Sequence, residues 1–225
     1  VGRLVEDGKA VLSPGDAIDL ARLQRTFTLR TSEGFVENFG TQLLQAVAQD
    51  APGVRLRFVA KTDKDSASLR DGTVDLETGV VGEATGPEVR TQLLFRDRFV
   101  AVVRAEHALA RGKVTPARYV AARHISVSRR ALEQGPVDAA LSSVGLLRDI
   151  VASVAGFATA LALARTSDLV ATVPERHTGN LRDGMRTFPV PVPTPEINVS
   201  LLWHPRSEAD PAHRWLRGCV VGACR

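Results

Sequence analysis

Between residues 25 and 80 the hydrophobic positions change period several times. In RTFTLRT, Phe27, Leu29 and Thr31 alternate with polar neighbours, the pattern of a strand with one buried face. In SEGFVENFGTQLLQAVAQDAPG, Phe35, Phe39, Leu43 and Val47 recur every four residues, which predicts a helix buried along one stripe. Ser32 stands where an N-cap belongs, and Pro52-Gly53 stops the helix. VRLRFVA then alternates Val54, Leu56 and Phe58 as a second strand, DSASLRDG is a short helix ended by Gly72, and VDLETGVV is a third strand. The order β, α, β, α, β builds a parallel sheet with right-handed connections and helices on its faces, so the fold class is α/β.

After FVAVVRAEHALARG the same kind of unit returns without repeating its sequence. ARHISVS and LRDIVASV predict strands, VDAALSSVGL a short helix, and GFATALALARTS a helix leading into the strand DLVATVP. FPVPVPTPEI has too many prolines for a helix and is extended, and INVSLLW after it has the makings of a strand. Two similar lobes joined by extended crossings follow, with the joints expected near residues 100 to 104 and 195 to 200.

Composition narrows the setting. At 225 residues, 44% hydrophobic and 24% charged, the chain has ordinary globular composition. No apolar run approaches the roughly 20 residues of a membrane span, the opening VGRLVEDGKAVLSPG lacks a continuous apolar stretch, and the only two cysteines stand in the tail CVVGAC. These features predict a cytoplasmic protein with no membrane segment, secretory leader or disulfide framework. The net charge of +4 comes from 29 scattered basic residues, so charge alone does not mark a DNA binder.

Few groups look chemical. No phosphate-cradling loop, nucleophile elbow, HExxH or paired CxxC occurs, and GEATGP at 82–87 reads as a surface turn. The segment WHPRSEADPAHRWLRG gathers His204, Asp210 and His213, a combination that offers zinc two nitrogens and an oxygen. Asp210-Pro211 is more simply a helix start, aspartate as N-cap and proline in the first turn, with the two tryptophans packing the returning chain onto the first lobe. Cys219 and Cys224 read as a packed and a frayed thiol. No catalytic residue, metal ligand or cofactor is predicted.

Ligands of open parallel sheets bind outside the carboxyl ends of the strands, where helix N-termini offer unpaired N–H groups. Three places qualify: Thr31, Ser32 and Glu33; Lys61, Thr62 and Asp63; and Ser126, Val127 and Ser128. Helix capping is the competing role for each serine and threonine. Glu33 would repel a carboxylate, so a neutral or cationic ligand is as plausible as an acid, and Lys61 or Arg129 would reverse the balance locally.

RTFTLRTSEGFVENFG, LRDGTVDLETGVV, FRDRFVAVVRAEHALA, DLVATVPERH and WHPRSEADPAHRWLR together resemble the effector-binding domain of LysR-type transcriptional regulators, from about Arg25 to Arg217. The last two segments resemble the branch that includes regulators of aromatic-compound metabolism and nodulation. Ala108 departs from the proline that usually follows the histidine of the AxHPLA motif. The resemblance implies two Rossmann-like lobes of the periplasmic-binding-protein-like (type 2) fold, joined by two extended crossover segments. Lobe I would comprise 25–102 plus 197–225 and lobe II 103–196. Residues 1–24 resemble at most the end of the linker that follows the family's winged helix-turn-helix, and DNA contact is expected only through that missing domain.

The resemblance further implies a sensor and not an enzyme. A small-molecule effector would lie in the cleft against Thr31, Ser32, Glu33 and Thr62 of the first lobe and Ser126, Ser128, Gly156 and Phe157 of the second. Family dimers pair the first helix of one lobe with the GFATALALA helix of a partner, so a homodimer or tetramer is expected. A solute-binding protein for transport and a small-metabolite enzyme on the same two-lobed plan are the rival readings.

Overall fold

The computed structural model describes residues 18–61, 65–82, 84–128 and 135–225. The chain begins with β1 (Arg25–Thr31), α1 (Glu33–Asp50), β2 (Val54–Ala60), α2 (Ala67–Asp71), β3 (Leu76–Val80) and β4 (Arg90–Asp97). It continues through β5 (Phe99–Arg104), α3 (Pro116–Val120), β6 (Arg123–Val127), α4 (Pro136–Ser142), β7 (Asp149–Val154), α5 (Phe157–Arg165) and β8 (Leu169–Pro174). After a 3-10 segment at Arg176–Arg182 come β9 (Met185–Pro189), β10 (Ile197–Trp203) and α6 (Pro211–Ala223).

Two five-stranded sheets result, ordered β2-β1-β3-β10-β4 and β7-β6-β8-β5-β9. The three strands predicted from each alternating pattern pair in parallel, β1 with β2 and β3, β6 with β7 and β8. The sheets are mixed, however, because β10 runs antiparallel to both its neighbours β3 and β4 in the first, and β5 to both its neighbours β8 and β9 in the second. The first crossing is the single residue Arg98, between β4 of one sheet and β5 of the other, and so precedes the expected 100–104. The return crossing lies beyond β9; Val190 and Val192 still pack in the second sheet's core, and the chain rejoins the first sheet at Ile197.

The predicted stripe of α1 is the centre of the first core. Phe35, Phe39, Leu43 and Val47 are all buried, against Phe27, Leu29, Leu76 and Phe95 of the sheet and Leu216 and Val220 of α6. Each such side chain contributes roughly 1.5–3 kcal/mol. The second sheet is covered on one face by Ala160, Leu161 and Ala164 of α5, and on the other by Tyr119, Val137 and Leu141. α2 ends as expected at Gly72, whose φ of 82° is the left-handed conformation that glycine adopts without a Cβ clash.

The closing segment is architectural. Asp210 caps α6, its Oδ1 accepting from the N–H groups of Ala212 at 2.9 Å and His213 at 3.2 Å, while its Oδ2 accepts from Arg25 at 2.6 Å. Trp203 is buried in the first core and donates to Glu208 at 2.6 Å, and Trp215 packs beside that core and donates to Asp50 at 3.2 Å. His204 Nδ1 accepts from the N–H of Arg206, closing a turn. His213 is fully buried; its Nε2 donates to the Asp75 carbonyl and its Nδ1 accepts from Arg217. Asp210→Ala removes the cap and the Arg25 partner together and is expected to lower stability by about 1–2 kcal/mol, read as a lower urea midpoint with unchanged slope.

Candidate functional site

Of the strand ends singled out in sequence, the one that closes β1 meets the other sheet. β1 ends at Thr31, which is buried with its hydroxyl against that of Thr78. Ser32 caps α1 by accepting from the N–H of Phe35 at 3.2 Å. Both hydroxyls therefore carry the capping or packing role weighed against ligand contact. Glu33 follows as the first helical residue and is exposed.

Opposite this corner lies the β7–α5 corner of the second sheet. Gly156 is the N-cap of α5 and supplies no capping side chain. A Cβ on Gly156 would stand 3.0 Å from Glu33 Oε2, and one on Gly34 would stand 3.6 Å from the Phe157 ring and 3.2 Å from the His177 carbonyl. Glu33, Gly156 and Phe157 thus share one junction. At the end of β6, Ser126 is buried in register with Ser153, and the Ser128 N–H donates to the Val154 carbonyl at 2.9 Å. Thr62, Asp63 and Arg129 lie outside the described residues.

The charge of Lys61 is engaged below this junction. Glu77, fully buried on β3, accepts from Lys61 Nζ at 2.6 Å and from Arg30 at 2.8 Å. Each cation therefore has a carboxylate partner, and the group compensates much of its own desolvation.

Sequence reasoning missed the clasp beside the crossing. Asp97, the last residue of β4, is buried; its Oδ1 accepts from the N–H groups of Arg98 and Arg176, and its Oδ2 accepts from the His177 N–H at 3.1 Å and ring Nδ1 at 3.0 Å. Burial alone would raise the Asp97 carboxyl, but the bonds from His177 and the three backbone donors outweigh it and hold it below the usual range. The His177 ring packs against Phe39 and Phe95 of the first sheet's core. Around it Arg98 pairs with Glu175, Arg176 donates to the Cys224 carbonyl at 2.6 Å, and the Asn180 N–H donates to Asn38. The His–Asp pair resembles part of a catalytic triad, but among the described residues no serine or cysteine bonds to His177.

A second missed cluster is buried under the other sheet. Arg148 grips Asp138 by Nε at 2.6 Å and Nη2 at 3.0 Å, Tyr119 and Thr172 share a 2.7 Å hydroxyl contact, and His124 Nε2 donates to the Tyr119 carbonyl at 2.8 Å. Cys219 and Cys224 sit in α6 and at its end, and burial pushes their thiols up to about 11 and about 12, which leaves them as inert packing groups near neutrality. Among the described residues no three His, Cys, Asp or Glu side chains are grouped to hold a metal, and no helix is long and apolar enough to cross a membrane.

Comparison with known proteins agrees with this architecture. The chain is 29% identical over 221 residues to the HTH-type transcriptional activator NagR of a Ralstonia species, covering 95% of this chain and 71% of that protein. It is 30% identical over 213 residues to the HTH-type transcriptional activator NahR of Pseudomonas putida, covering 90% and 68%. The crystal structure of the regulatory domain of MexT, a transcriptional activator in Pseudomonas aeruginosa, superposes with a TM-score of 0.78 at 25% identity, covering 90% of this chain and all of that one. The family model described as the LysR substrate binding domain matches residues 21–225. With both five-stranded sheets inside that match, the chain belongs to the LysR substrate-binding domain family, the effector-binding part of LysR-type transcriptional regulators.

Proposed function

We propose that this domain senses a small molecule held between two lobes, the first built on residues 25–97 and 197–225 and the second on 99–192. The observation that carries the reading is the meeting of the β1–α1 and β7–α5 corners, where Glu33 and Gly34 stand against Gly156 and Phe157. The effector would contact Thr31, Ser32, Glu33, Ser126, Ser128, Gly156 and Phe157, the set that the family resemblance extends to Thr62. Binding acts by population shift: a ligand that fits one lobe arrangement better than another moves the equilibrium by that difference in affinity.

The domain would act in the cytoplasm, without catalysis, as a homodimer or tetramer, with DNA contacted by another part of the regulator. The exposure of Leu44 on α1 and Leu163 on α5 supports a helix-to-helix pairing between copies. The test is a panel of small aromatic, carboxylate and amine metabolites, followed by thermal melting and amide hydrogen exchange. A ligand at a hundred times its dissociation constant adds about 2.7 kcal/mol, and should slow exchange at residues 31–34 and 156–158 and be recovered unchanged. Protection confined to other segments, or turnover of the ligand, would refute the sensing role.

A further inference from the structure

The 3-10 segment Arg176–Arg182 is divided between the two lobes. Its first two residues hang on the first lobe: the buried Asp97 carboxylate accepts from the Arg176 N–H at 2.9 Å, the His177 N–H at 3.1 Å and the His177 ring at 3.0 Å. The Arg176 guanidinium lies over the Phe95 ring and donates to the Cys224 carbonyl. The end of the segment hangs on the second lobe. Leu181 packs in the core that α5 covers, Arg165 of α5 donates to the carbonyls of Leu181 at 2.8 Å and Asp183 at 2.6 Å, and Arg182 donates to Thr187 of β9 at 2.9 Å. Thr178 stands between these two sets, fully buried, with φ −128° and ψ 18°, a kink that breaks the segment into two short helical pieces. Past the kink the chain touches the first lobe again. The Asn180 N–H donates to Asn38 Oδ1 of α1 at 3.2 Å, the Asn180 side chain donates to the Asn38 carbonyl at 3.5 Å, and a Cβ on Gly179 would stand 3.0 Å from Asn38 Oδ1.

We infer that Asn38 and Asn180 form a latch between the lobes, and that the Asp97–His177 clasp with the Thr178 kink is the pivot on which the second lobe turns when the latch opens. The two contacts differ in what it costs to part them. The clasp is a buried, charge-assisted set of bonds, and pulling it apart would strand a carboxylate without donors. The latch is two neutral bonds near the long end of the range, both exposed, so water takes over each partner at little loss. Segments with exposed bonds open first, and a hinge takes up its change in a few residues. Asn38 lies one turn along α1 from Gly34, the residue that faces both the His177 carbonyl and the Phe157 ring. The latch is therefore on the same face of α1 as the junction with α5, and its opening loosens that junction. The latch needs no ligand, and so stands apart from the sensing role.

The test is the relative orientation of the two sheets in solution, from residual dipolar couplings of the whole chain fitted separately for the amides of each sheet. In the native protein one alignment tensor should serve both. In Asn38→Ala/Asn180→Ala, and independently in Gly179→Ala, whose added methyl group meets Asn38, the open population should rise about fivefold. The rise appears as a second-sheet tensor smaller than the first or turned from it. Hydrogen exchange at the Arg176 and His177 N–H groups should keep its native rate in these variants, because the pivot is intact. Thr73→Ala, which removes another exposed side-chain bond, to Asp71 within the first lobe, should leave one shared tensor. A single tensor persisting in both latch variants overturns the inference, as does a native protein whose sheets already need two. Faster exchange at Arg176 and His177 in the latch variants overturns the pivot, since the clasp would then part with the latch. Two tensors in Thr73→Ala overturn the latch, because loss of any surface bond would then have the same effect. No ligand enters, so failure here leaves the cleft to be judged by its own titration.

Discussion

Replacing Arg148 with methionine is expected to cost about 3–5 kcal/mol of folding stability, seen as a fall of about 10 °C in the melting temperature. The two side chains of the Arg148–Asp138 pair are only 5% and 9% exposed. Arg148 holds both oxygens of Asp138, and beyond that grip the described donors to Asp138 are backbone N–H groups, that of Gly135 at 2.9 Å and its own. Removal of the guanidinium leaves a buried carboxylate with backbone donors but no countercharge from Arg148, and a methionine of similar volume fills the space without answering the charge. Adding Asp138→Leu should recover most of the loss, since the penalty belongs to the unpaired charge and not to the absence of the pair. A single-variant loss below about 1 kcal/mol would show that water reaches Asp138.

Acid should weaken the fold well before its carboxylates are protonated. Burial pushes His124 down to about 4, and the nearby Arg148 charge acts in the same direction. The ring donates from Nε2 to the Tyr119 carbonyl, and its buried Nδ1 has no partner among the described residues, so a second proton would meet no acceptor there. The folded pKa lies below the unfolded value of about 6.5, so the fold favours the neutral ring. Its contribution is complete above about pH 6.5 and is lost as pH falls toward 4, by about 3 kcal/mol. His213 adds to the loss: burial lowers it too, and its Nδ1 accepts from Arg217, a bond that protonation would remove. Urea unfolding at steps between pH 7.5 and 4.5 should show the decline. His124→Gln, which keeps an N–H for the Tyr119 carbonyl, should flatten it, and constant stability across that range in the native protein would contradict the assignment.

What the sequence revealed was local. Ser32, Gly72 and Asp210 act on backbone within three residues, and the four-residue stripe of α1 needs only one buried side, so spacing was enough to place them. β4 escaped because it is an edge strand whose residues 90–93 are all exposed, which leaves no alternation to read. The joint at Arg98 escaped because β4 and β5 run on as FRDRFVAVV with no proline or glycine between them. Asp97 and His177 are 80 residues apart, and no local pattern reports a pair that the crossing itself creates. For the candidate site, strand-end reasoning reached Glu33 and Ser126, while Gly156 and Phe157 came from family resemblance. The closeness of Glu33 to Gly156 depends on how the two sheets face each other.

The register of the return crossing has a consequence for how the second sheet is attached. Ile197 is the direct partner of Asp97 in the antiparallel ladder between β4 and β10. Those two strands are therefore the arms of a β-hairpin, and everything from Arg98 to Glu196 is its loop. The second lobe is a domain inserted at a hairpin tip, a place where insertions cost little because the ends of the loop are already adjacent. Along the backbone, any turning of the inserted part reaches the first sheet as a twist of that terminal rung, beside the contacts that Asp97, Cys224 and Asn38 make with residues 176, 177 and 180.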